Sequence, residues 1–157
     1  MAHLVIDIGN SRTKFATFYK GKLEESGTID RLDTAQLNLL LENHKITHSI
    51  ISSVNDEISK LEDILKDRTK YIRFSSSVKA GVINKYKSPE TLGLDRFAGV
   101  IGAKSLFPDT NCLVIDAGTC ITYDAVDGAG IYEGGSISPG LKMRLKAMHK
   151  FTGRLPE

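Results

Sequence analysis

The ten residues Leu4-Val5-Ile6-Asp7-Ile8-Gly9-Asn10-Ser11-Arg12-Thr13 return later in the chain as Leu113-Val114-Ile115-Asp116-Ala117-Gly118-Thr119-Cys120-Ile121-Thr122, and six of the ten positions are identical. In each copy an apolar run ends in Asp-x-Gly, polar residues follow, and a second strand-like segment begins, at residues 14–19 or 121–126. A glycine, Gly21 or Gly128, then turns the chain into a third segment, 22–29 or 130–138. A three-stranded meander that occurs twice is predicted to build two related domains facing each other.

The stretch between the copies decides what packs on the first meander. Residues 34–43 set Ala35, Leu37, Leu39, Leu40 and Leu41 on a helical pattern that starts at a Thr34 cap. Residues 46–52 read as a buried strand. Ile58, Leu61, Ile64 and Leu65 recur at helical spacing, and a short strand is expected at 71–74. A third helix is predicted over 95–107, where Ala98, Gly99, Gly102 and Ala103 would let another helix approach closely before Pro108 ends it. Strands followed by alternating helices and strands imply an α/β architecture, a mixed sheet with helices against it. The expected domains are 1–107 and 108–157. The second reads as cut short, because one meander and one helix from Leu141 onward cannot cover both faces of a sheet.

A hydrophobic content of 41% in 157 residues is enough for a globular core. The 21 lysines and arginines are interspersed with 19 aspartates and glutamates, so a nucleic-acid or membrane-surface partner gets no support. The apolar runs are too short for a spanning helix or a signal-peptide core, and a cytoplasmic location is expected. Cys112 and Cys120 fit no metal-ligand spacing and are expected to be buried, small apolar residues kept as thiols. His3, His44, His48 and His149 form no ligand pair and read as surface or packing residues. Tyr71, Tyr86 and Tyr132 read as half-buried aromatics.

An Asp-x-Gly turn sets a carboxylate beside backbone amides that Gly9 or Gly118 leaves uncrowded, and such a concavity can hold phosphate. Asn10, Ser11 and Thr13 add side-chain donors, Lys14 adds a positive charge, and Asp7 can hold magnesium directly or through water. The plainer reading, that Asp-Gly only makes a hairpin, is weakened by its recurrence with the same flanks. No Gly-x-x-x-x-Gly-Lys-Ser/Thr loop occurs. A further motif, Gly93-Leu94-Asp95-Arg96, opens the third helix after Ser88-Pro89-Glu90-Thr91. Asp95 can take a proton from an attacking hydroxyl there while the planar fork of Arg96 holds an anionic group. Alternatively, Asp95 caps the helix and Arg96 is solvated. In Gly134-Gly135-Ser136-Ile137-Ser138-Pro139-Gly140 the paired glycines leave room for a flat ligand ring or a backbone crossing, or simply bend the chain before a helix.

In combination and in this order, the four motifs resemble those of the type III pantothenate kinases, within the superfamily of acetate and sugar kinases, heat-shock chaperones and actin. Asp7-Ile8-Gly9-Asn10-Ser11 is similar to the family's first phosphate motif and Asp116-Ala117-Gly118-Thr119 to its second. Gly93-Leu94-Asp95-Arg96 resembles its substrate motif, and Gly134-Gly135 with Pro139-Gly140 its adenosine-side motif. The resemblance implies duplicated ribonuclease H-like (actin-like ATPase) domains and ATP-dependent phosphorylation of pantothenate. It implies that Asp7, Ile8, Gly9, Asn10, Ser11, Arg12, Thr13, Lys14 and Thr119 hold ATP, and that Mg2+ accompanies it. It further implies Asp95 as the base, pantothenate contacts from Tyr86, Gly93, Leu94, Asp95 and Arg96, and a monovalent cation (K+ or NH4+) at Asp116. Members of the family are homodimers with the pantothenate pocket at the subunit interface, and they continue past Glu157 into a stretch holding one more pantothenate contact. Cys120 departs mildly from the alanine or other small residue usual there. Two competing readings are a phosphohydrolase of the same superfamily, with Asp95 orienting water, and a regulator that binds nucleotide without turnover.

Overall fold

Alternating side chains give β1 (Ala2–Ile8) one dry face, formed by Ala2, Leu4, Ile6 and Ile8, and one face carrying His3, Val5 and Asp7. The computed structural model describes residues 1–9, 12–53 and 58–156, and it contains two compact units, Met1–Ser75 and Ser76–Glu157. In the first unit β2 (Thr13–Tyr19) and β3 (Lys22–Ile29) run antiparallel on one side of β1, and β4 (Ile46–Ser53) and β5 (Lys70–Arg73) run parallel on the other. The β2–β3 hairpin closes through Lys20 and Gly21 at φ 51° and 78°, the positive pair that matches the twist of two-residue hairpins.

Two helices cover the dry face. α1 (Thr34–Asn43) buries Leu37 and Leu41, α2 (Ser59–Arg68) buries Leu61 and Leu65, and all four join Leu4, Ile6 and Ile51 in one core. The cap of α1 is Asp33 and not the expected Thr34. Asp33 Oδ1 accepts from the Gln36 amide at 2.7 Å while Gln36 Oε1 accepts from the Asp33 amide at 3.1 Å, a reciprocal pair that Thr34, already helical, cannot make.

In the second unit the sheet order is β6-β9-β8-β7, with β7 (Cys112–Ala117), β8 (Cys120–Val126) and β9 (Ile131–Pro139) forming the second meander. The two-residue β6 (Ile83–Asn84), which hydrophobic patterning does not announce, pairs parallel with β9. α3 (Leu94–Leu106) packs on β7 and β8 and buries Phe97 and Val100 with Val126 and Tyr132. α4 (Leu141–Phe151) follows β9 and buries none of its side chains. The compact units divide ahead of α3, whereas the sequence reading set its boundary after it.

The two cysteines are not buried, against expectation. Cys112 starts an edge strand and is half exposed, and Cys120 is exposed at the turn into β8, its Sγ 4.0 Å from Met143 Sδ. Tyr132 is fully buried, while Tyr71 and Tyr86 are half-buried. No helix among the described residues is long and apolar enough to cross a membrane.

Candidate active site

The first Asp-x-Gly turn lies where parallel β1 and β4 end side by side, Ile8 opposite Ser53, at the carboxyl ends of the strands, where open α/β sheets bind ligands. The Gly9 amide donates to the Arg12 carbonyl at 3.0 Å and closes the turn. A Cβ on Gly9 would stand 3.2 Å from that carbonyl, which favours glycine there. Asp7 is directly opposite Lys14 across the β1–β2 ladder, so carboxylate and ammonium-bearing residues share one sheet face. Thr13 is buried, and Arg12 is exposed with Nε 3.9 Å from Asp30. Asn10 and Ser11 lie outside the described residues.

The second turn is one residue tighter. Gly118 donates to the Cys120 carbonyl at 2.9 Å, and Ala117 pairs with Ile121, whereas Ile8 pairs with Thr13. The shorter loop moves the ladder out of step with the sequence repeat. Asp116 therefore faces Thr122 and not Tyr123, the repeat counterpart of Lys14, and neither of these residues is a cation. Asp116 and Thr119 are both exposed. The Gly140 amide donates to the Thr119 carbonyl at 3.0 Å, and a Cβ on Gly140 would collide with the Gly118 and Thr119 carbonyl oxygens. Gly140 is also the N-cap of α4, so at this end of the motif the chain bends into a helix.

The third motif opens α3, whose N-cap is Gly93 and not Asp95. Asp95 sits one position inside the helix, exposed, with Oδ1 accepting from the Arg96 amide at 2.8 Å and lying over Gly93, where a Cβ would approach it to 2.6 Å. Arg96 is buried and not solvated. Its Nε donates to both oxygens of Asp124 at 3.1 and 3.0 Å, and a terminal nitrogen reaches Asp124 Oδ1 at 2.5 Å. The other terminal nitrogen points to the Tyr86 hydroxyl at 3.5 Å, with the guanidinium 5.4 Å from the Tyr86 ring centroid. Tyr132 donates its hydroxyl to the same Asp124 oxygen at 2.7 Å and stacks on Tyr86 with ring planes 6° apart.

Electrostatics make this cluster a fixed ion pair. The Asp124 hydrogen bonds raise the Arg96 pKa further, against the opposing effect of burial. Burial, then the hydrogen bond to Asp124, pushes the Tyr132 phenol up as well, so it stays a donor. The sequence reading does not include Asp124, and it takes Tyr132 only as a half-buried aromatic. The usable signal was an aspartate in mid-strand, flanked by Tyr123 and Ala125, because such a carboxylate is disfavoured in strands and, once buried, needs a cation.

A profile of the type III pantothenate kinase family matches residues 3–157. The chain belongs to that family. Type III pantothenate kinases from Bacteroides fragilis strain YCH46 and from Phocaeicola vulgatus are 43% and 44% identical to it, over 155 and 159 residues. Those alignments take in 98% and 99% of this chain, which spans 64% of the length of each relative. Among solved structures, the Ppx/GppA phosphatase of Aquifex aeolicus superposes with a TM-score of 0.51 at 17% identity, over 98% of this chain and 56% of that one. That likeness concerns the fold. It agrees with the α/β, actin-like ATPase class expected for a type III pantothenate kinase.

Proposed function

We propose that the protein phosphorylates pantothenate with ATP to give 4'-phosphopantothenate, the first step of coenzyme A biosynthesis. The observation that carries this reading is Asp95, an exposed carboxylate held at the start of α3 by the Arg96 amide, beside a guanidinium that is itself fixed. In this scheme Asp95 accepts the proton of the pantothenate hydroxyl as its oxygen attacks the γ-phosphorus. The bond to the β–γ bridging oxygen breaks and ADP leaves. In the same proposal Gly93, Leu94, Arg96 and Tyr86 serve pantothenate, and residues 7–14 and Thr119 serve ATP. The fork of Arg96 is already engaged by Asp124, so its contribution is the remaining terminal nitrogen, which points to the Tyr86 hydroxyl.

Among the described residues no group of three or more His, Cys, Asp or Glu is placed to hold a metal ion. A divalent ion would take one protein carboxylate and phosphate oxygens, the habit of magnesium, and Asp7 is suited to supply it. Magnesium neutralises phosphate charge during transfer. Asp116, without a lysine opposite, is suited to a monovalent cation, K+ or NH4+. A cytoplasmic homodimer completes the reading. A coupled ATPase assay with and without pantothenate tests it, with ADP release expected only when pantothenate is present. Asp95→Asn should lower turnover by about two to four orders of magnitude with ATP binding nearly intact. Equal ADP release without pantothenate would indicate a phosphohydrolase, and unchanged turnover in Asp95→Asn would remove Asp95 as the base.

A further inference from the structure

We infer that Asp124, braced by Tyr132, is the positioning residue that sets the pantothenate motif, and that the Gly134-Gly135 pair makes room for this brace. The first part rests on the proposed reaction. Asp124 is 1% exposed and lies on β8 directly opposite Gly135 of β9. A Cβ on Gly135 would collide with the Tyr123 carbonyl oxygen and come within 2.6 Å of Asp124 Oδ1, the oxygen that receives both Arg96 and Tyr132. Gly134, at φ +119°, lies against the Tyr86 ring, where a Cβ would approach to 3.0 Å. Gly134 thus yields space to Tyr86, and Gly135 yields space first to the Tyr123 backbone and then to the Asp124 carboxylate.

From Asp124 the connection runs through covalent geometry. Arg96 is adjacent to Asp95, and its amide is the donor that holds the Asp95 carboxylate. Fixing the Arg96 side chain from β8 therefore fixes the first turn of α3, and with it Gly93 and Asp95. The same clamp holds the guanidinium over Tyr86. A carboxylate buried only to neutralise Arg96 would need no tyrosine hydroxyl on the same oxygen. The second donor fixes the carboxylate's rotation, and so the fork it offers.

The test compares Tyr132→Phe and Asp124→Asn in the intact protein, by amide hydrogen exchange and by steady-state kinetics with pantothenate and ATP. Tyr132→Phe removes one hydroxyl and should stay folded. It is expected to speed exchange over residues 94–98 about threefold or more relative to β1 and β4, and to raise KM for pantothenate about three- to tenfold with KM for ATP within about twofold. Asp124→Asn should act in the same sense and more strongly. If it fails to fold, Tyr132→Phe decides alone. Unchanged exchange at the start of α3 in Tyr132→Phe would overturn the inference, as would parallel rises in both KM values. Gly135→Ala reproducing the pantothenate effect would support the glycine assignment, and a rise confined to KM for ATP would overturn it. Should the wild-type protein not phosphorylate pantothenate, the proposed reaction falls while the exchange comparison still decides whether Asp124 orders this turn.

Discussion

Leu4 and Leu113 occupy the same place in the duplicated strand, yet Leu4 is fully buried and Leu113 is 63% exposed; Ile6 and Ile115 differ in the same way, at 1% and 56%. Like residues in like strands meet different surroundings because the helices arrive from different parts of the chain. In the first unit α1 and α2 follow the meander and close over the face of Leu4 and Ile6. In the second unit α3 precedes the meander and lies on the alternate face, with Gly99 against Val114 and Arg96 on Asp124. The repeat specifies strands and turns. What covers them is written elsewhere.

The largest effect that tests this contrast is a pair of truncations read by urea unfolding. Leu4→Ala should cost about 2–5 kcal/mol, the range for emptying a packed apolar site. Leu113→Ala should change stability by no more than about 0.5 kcal/mol, as surface substitutions do. A comparable loss at Leu113 would mean that this face is covered in solution, and would break the comparison as drawn.

A second contrast concerns the two aligned aspartates. Asp7 faces Lys14 and Asp116 faces Thr122, because the second turn is one residue tighter. If that difference sorts their ions, Asp7→Asn should weaken Mg·ATP binding by about tenfold, some 1.4 kcal/mol. Asp116→Asn should leave it within about threefold while flattening activation by potassium or ammonium. Titrating potassium and sodium at fixed ionic strength checks this, with activity rising for potassium and not for sodium. A flat potassium response removes the ion from the mechanism. A response unaltered by Asp116→Asn moves it to another site.

These contrasts also mark what the sequence made legible. Strands and turns of both meanders, and the helices α1 to α4, could be read because apolar periodicity and glycine punctuation are local signals. The Asp33 cap was displaced by one residue because Thr34 is an equally acceptable capping type and only the Gln36 reciprocity separates them. The short β6 is held by its pairing with β9, a contact distant in sequence. The place of Asp95 at the start of α3 was legible, but the fate of Arg96 was not. Its partner is twenty-eight residues away on another element, and a guanidinium looks the same in sequence whether it awaits a substrate or is already clamped. The cysteines failed for a related reason, since their exposure follows from the edge position of β7 and the turn into β8.

A smaller effect separates the two helix starts. α1 carries a complete capping box, whereas α3 begins at Gly93 with no side-chain cap. Asp33→Ala should therefore cost about 1 kcal/mol by thermal unfolding. A loss below about 0.3 kcal/mol would mean that water replaces the box without penalty, and that burial of Leu37 and Leu41 alone sustains α1.

The smallest expected effect compares the two carboxylate clusters. Asp124 is sealed with Arg96 in the second unit, while Glu62 in the first unit is partly exposed and accepts from the Tyr71 hydroxyl at 2.5 Å and from Arg73 at 2.9 Å. The Tyr71 hydrogen bond, opposed by burial and then helped by Arg73, holds the Glu62 carboxyl below its ordinary 4.5. Because the folded pKa lies below the unfolded one, this stabilisation is present above about pH 4.5 and is lost as pH falls through the folded value. Tyr71 runs in the opposite sense. Burial, then Glu62, pushes its phenol up from 10.0 to about 12, so its contribution is complete below pH 10 and fades as pH rises toward 12. Glu62→Gln should thus reduce the stability difference between pH 7 and pH 3 by less than about 1 kcal/mol, given its partial solvent screening. The same substitution should bring the Tyr71 titration, followed by its phenolate absorbance, back toward 10.0, since it removes the negative charge that Tyr71 would face on ionising. An acid-side slope identical in wild type and Glu62→Gln would show that Tyr71 and Arg73 hold this glutamate no better than water does.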